Sequence, residues 1–149
     1  MRTLVTFQSR SFNTSESKEY FINPCCFGDD LCEWLIQRLR EQGIGTDDEP
    51  GQEDFGWYFS FKVSDGDHCC VIGYRPGDTE EEDGLWIGWI ERSKGFLGSL
   101  FGGRSKGISL KAITAIHRVL RSSSEITNLR WHERSDFDRD REELGSPTP

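Results

Sequence analysis

Three histidines, five cysteines and a large stock of acids are the residues of this chain with chemistry to offer, and their spacing limits that chemistry. Nucleophilic catalysis needs a serine or cysteine whose proton passes to a histidine that an acid orients. His68, His117 and His132 supply the base, but no nucleophile elbow or other local signature frames a partner for any of them. His68 adjoins Cys69 and Cys70, while Cys25, Cys26 and Cys32 lie elsewhere. Zinc sites favour C-x₂₋₄-C spacing so that both sulfurs reach one ion, whereas adjacent residues of a strand point to opposite faces. Cys69 and Cys70 therefore read as buried thiols. The acidic run 80–83 lacks the spaced ligands of a calcium loop and reads as a solvated loop tip. The expectation is no catalytic set, no metal site and no cofactor.

Residues 98–105 read Gly-Ser-Leu-Phe-Gly-Gly-Arg-Ser, which resembles the phosphate-binding loop of P-loop nucleotidases with Arg104 where that family has lysine. In that family the loop runs from a buried parallel strand straight into its helix, and the sheet expected here is antiparallel. Glycine-rich backbone ahead of a helix still presents amides to an anion. Arg104, Lys106 and His117 are the candidate ligands of such an anion or small-molecule site. His117 also borders the apolar face of its helix, a position that suits a structural histidine.

The elements that must position these groups follow from composition and pattern. A chain of 149 residues suits one core, and its 34% apolar content leans on ten Phe and five Trp. Twenty-six acids against eighteen bases give a net charge of −8, which repels nucleic acid and anionic membrane surfaces. No apolar run approaches the roughly 18 residues of a membrane span. Residues 1–10 read as a strand rather than a signal peptide. Five cysteines, four of them in adjacent pairs, suit a reducing compartment, and the cytoplasm is expected.

Residues 2–12 read as a strand. Asp30 and Glu33 form a candidate capping box for a helix over 30–42, where Leu31, Trp34, Leu35 and Leu39 recur at helical spacing. An acidic loop follows over 45–54. Alternation over 55–63, the turn pair Asp65-Gly66, and strands at 68–75 and 85–91 predict an antiparallel meander. A glycine-rich stretch at 93–107 precedes a helix over 109–122 and a strand over 126–133. The charged segment 134–149 is expected to be disordered. The order β-α-β-β-β-α-β defines an α+β two-layer sandwich, with two helices packed on one face of an antiparallel sheet.

One feature breaks the simple pattern. A sheet covered on one side alternates apolar and polar residues, yet 68–75 and 85–91 are apolar on both faces. Either the chain folds Phe96, Leu97, Leu100 and Phe101, or residues 20–22, over the second face, or a partner covers it. The favoured expectation is a non-catalytic binding module that recognises a protein partner or a second copy of itself. Tyr58, Tyr74, Trp86 and Ile90 would supply the sheet face, and the loop 95–107, with Leu100 and Phe101, a movable cover. The anion site is one alternative, and an enzyme of unknown class is the other.

Overall fold

The computed structural model describes residues 1–93 and 107–149. Seven strands form one antiparallel sheet: β1 (Leu4–Gln8), β2 (Gly45–Thr46), β3 (Gly51–Glu53), β4 (Gly56–Val63), β5 (Gly66–Arg75), β6 (Leu85–Arg92) and β7 (Thr127–His132). They run in the order β2-β4-β5-β6-β1-β7, with β3 pairing the same strand, β4, as β2. The first strand of the sequence therefore lies between the two that come latest. Helices α1 (Asp29–Glu41) and α2 (Leu110–Ser122) cover one face. This is the α+β sandwich that the pattern predicts.

Burial explains why these segments pair up. The stripe Leu31, Leu35 and Leu39 of α1 and the stripe Ile113, Ile116 and Leu120 of α2 are all buried. They meet the inner residues of the sheet, among them Phe7, Phe59, Ile72, Trp86 and Trp131. Each fully buried side chain of this size stabilises the fold by about 1.5–3 kcal/mol relative to exposure.

Three local expectations change. The loop expected over 45–54 holds the short strands β2 and β3, which pair with the outer edge of β4. The hairpin turns on Ser64 and Asp65, with Val63 opposite Gly66, because Gly66 takes the φ of +114° that only glycine adopts readily. Helix α1 is capped by Gly28, at φ 135°, and no side chain caps it. Asp30 instead accepts the Asn13 amide at 2.7 Å and so ties down the preceding loop. The φ favours glycine there, and a Cβ would also crowd Ile72 at 3.1 Å.

The segment 134–149 differs from the disordered tail that its charge predicts. It forms the short helix α3 (Arg134–Phe137) and a 3-10 turn at Glu142–Leu144. The Phe137 ring packs 5.4 Å from the His132 ring, and Glu142 receives both guanidinium nitrogens of Arg75 at 2.8 and 3.0 Å. Trp131 and Ser146 exchange backbone hydrogen bonds at 2.6 and 2.9 Å. Charge composition alone overlooks such anchors, because a few well-placed contacts offset the ordering cost.

Candidate functional site

The sheet separates the residues that the sequence groups together. Tyr58 lies opposite Val71 on the face away from the helices, whereas Tyr74 lies opposite Trp86 on the helix face. Trp86 and Ile90 are 0% and 2% exposed in the core beneath α1 and α2, so neither offers a surface to a partner. Leu100, Phe101, Arg104 and Lys106 lie outside the described residues. The second face is crossed by the C-terminal segment: Arg134 reaches Glu91 at 3.5 Å, Glu142 holds Arg75, and Phe137 covers His132. Residues 20–22 lie on the helix side instead, with Phe21 against Trp57.

The alternatives meet specific obstacles in the described residues. His117 accepts the Trp131 indole N–H on its Nδ1 at 3.1 Å, well along α2 from the amino end where an anion would sit. At that amino end the chain supplies its own acceptors. Ser109 caps the helix by accepting the Lys111 amide at 3.1 Å, and its hydroxyl donates to Asp65 at 2.7 Å. The Ser109 amide donates to His68 Nε2 at 3.0 Å, while His68 Nδ1 donates to the Gly66 carbonyl at 3.0 Å. A serine, a histidine and an acid thus meet, but the imidazole touches the serine backbone and never its hydroxyl. This is a clasp that joins the β4–β5 hairpin to α2. The Ser109 and Lys111 bonds hold the Asp65 carboxyl down to about 2, and burial lowers His68.

The three buried thiols, Cys32, Cys69 and Cys70, are equally unsuited to attack. Burial raises Cys32 and Cys70 well above the ordinary thiol value and pushes Cys69 up to about 12. Among the described residues, no group of three or more His, Cys, Asp or Glu stands close enough to hold a metal ion. No helix among them is long and apolar enough to cross a membrane.

What the structure does assemble is a surface at the amino end of α1. A turn of Phe21 N–H onto the Lys18 carbonyl leads into a strap, residues 20–22. The Tyr20 hydroxyl donates to Asp29 Oδ2, and the Ile22 amide donates to Gln52 Oε1 at 2.7 Å. Rings converge beneath the strap, with Trp57 6.2 Å from Tyr20 and 5.3 Å from Phe21 at steep interplanar angles. The Trp57 indole is fixed by donating to the Cys26 carbonyl at 2.9 Å. Gln52 stands directly opposite Trp57 in the ladder, so it belongs to the same patch.

Two properties set this patch apart. Tyr20 and Ile22 are 61% and 70% exposed, large apolar side chains left in solvent next to one another. Asp29 is only 5% exposed, yet its Oδ1 has no hydrogen-bond partner, and neither has Gln52 Nε2. Asp30 shares the first turn of α1 with Asp29 and Glu33 follows in the next, and burial raises the Asp30 and Glu33 carboxyls above their ordinary values. The hydrogen bond to Asp29 pushes the Tyr20 phenol up to about 12, so it remains a donor at any physiological pH. The sequence marks 20–22 as an apolar patch in a polar stretch, but Asp29 and Gln52 carry no signal, because their placement depends on the path of the intervening loop. Comparison with protein-family models, curated proteins and solved structures finds no match to this chain.

Proposed function

We propose that this chain is a non-catalytic module that binds a basic protein partner through the surface at the amino end of α1. The observation that carries this reading is the exposure of Tyr20 and Ile22 beside the acidic first turn of that helix. An aromatic and an aliphatic anchor set against acids form the core and rim of a protein contact. The net charge of −8 favours a cationic partner and speeds its encounter.

The test has two stages. Proteins retained by the immobilised full chain are purified, and their affinity is then measured against wild type and a Tyr20→Ala, Ile22→Ser double variant. The expected partner is basic, binds saturably with a Kd at or below about 1 μM, and weakens at least tenfold with the double variant. Its binding also declines with salt. An equal affinity for the double variant overturns the assigned surface, and the lack of any saturable basic partner overturns the reading itself.

A further inference from the structure

Asp29 and Gln52 are each half used. The strap takes Asp29 Oδ2 through the Tyr20 hydroxyl and Gln52 Oε1 through the Ile22 amide. Left over are a buried carboxylate oxygen that lacks a donor and a buried amide N–H₂ that lacks an acceptor. A buried polar atom without a partner costs about 1–3 kcal/mol, so two of them in one patch call for an explanation. Neither atom is the other's partner. Both are served by a ligand that brings one cationic donor and one carbonyl.

Resting on the partner reading above, we infer that Asp29 is the seat for an arginine side chain of the partner, with Tyr20 as the displaceable side chain that covers it. Three features select arginine. The guanidinium is planar and matches a carboxylate edge with paired N–H groups. It is weakly hydrated and loses less than an ammonium on entering a site 5% exposed. It also stacks on aromatic faces, and Trp57 and Phe21 line the place that Tyr20 vacates. The peptide carbonyl of the same residue is an acceptor of the kind that Gln52 Nε2 lacks. Tyr20 is suited to move, because its described restraints are one hydrogen bond and edge contacts to Phe21 and Trp57.

The experiment titrates the full chain with N-acetyl-arginine methylamide, and separately with the lysine and citrulline analogues, while following the Trp57 indole and Gln52 side-chain amide signals by NMR. The expected result is saturable movement of both signals with the arginine probe and at least tenfold weaker binding of the citrulline probe. Lysine should bind at least threefold more weakly than arginine. Asp29→Asn should weaken the arginine probe at least tenfold. Tyr20→Phe, which removes the competing hydroxyl and leaves the ring in place, should tighten it. Equal response to citrulline, an unchanged response in Asp29→Asn, or weaker binding in Tyr20→Phe overturns the inference. Equal affinity for lysine overturns the choice of guanidinium. These probes involve no partner protein, so their failure leaves the double-variant test of the surface standing on its own.

Discussion

The amino ends of the two long helices solve the same problem in opposite ways. Both present unpaired backbone amides and a positive dipole end. At α2, Ser109, Asp65 and His68 satisfy one another and the backbone. At α1 the cap is Gly28, which brings no side chain, and the adjoining Asp29 keeps one oxygen unmatched. A finished set of hydrogen bonds is what stability selects, whereas an unfinished one is what a binding site needs. Under the proposed function, the contrast sets a structural clasp at α2 against a recognition surface at α1.

The largest test of that contrast falls on α2. His68→Ala leaves a cavity and orphans the Ser109 amide, and should lower unfolding free energy by about 2–4 kcal/mol in urea titration. A loss below about 1 kcal/mol would break the comparison. At α1 the fold depends on the glycine rather than on the acid. Gly28→Ala forces a side chain into φ 135° against Ile72 and should cost about 1–3 kcal/mol, read as a lower thermal midpoint.

A pH series probes the clasp without mutation. Burial holds His68 below its ordinary value of 6.5 when folded, so the unfolded chain takes up the proton first. Stability is therefore full above pH 6.5 and declines below it, until the folded imidazole also protonates. Burial lowers His117 and His132 as well, so they share the slope. The urea midpoint should be lower at pH 5.5 than at pH 7.5, and His68→Gln should flatten part of the difference. An identical slope in that variant assigns the effect elsewhere. The smallest expected effect is the most telling: Asp29→Asn should shift unfolding by less than about 1 kcal/mol, because one oxygen has no bond to lose and the amide oxygen still accepts the Tyr20 hydroxyl. A larger loss would make Asp29 a structural residue like Asp65.

Periodicity made most of the elements legible. The spacing of Leu31, Leu35 and Leu39 marks α1, and the alternation from Trp57 to Phe61 marks β4 and its buried side. The same alternation holds a warning about the sheet-face site. Across a two-residue hairpin an even-numbered residue pairs with an odd-numbered one, as Tyr58 does with Val71. Tyr58 and Tyr74 therefore cannot share a face, whichever residues form the turn. The α1 patch was beyond reach for a different reason. Its members come from an irregular loop, a helix start and a three-residue strand, and no period connects them. The apparent capping box failed because Asp30 lies inside the helix, after the Gly28 cap, and divides its carboxylate between the Leu31 amide of α1 and the Asn13 amide of the preceding loop.

The place of β1 in the sheet has a consequence for how the molecule forms. The meander β4-β5-β6 closes through near neighbours in sequence, but β1 pairs with β6 on one side and β7 on the other. Thr6 and His132, joined across that seam, stand 126 residues apart. A chain emerging from the ribosome thus releases β1 first and must hold it unpaired until β6 follows and, last of all, β7. Such distant pairing slows folding and leaves an open strand edge exposed during synthesis. The seam between β1 and β7 therefore cannot close until the last strand of the sheet has been made.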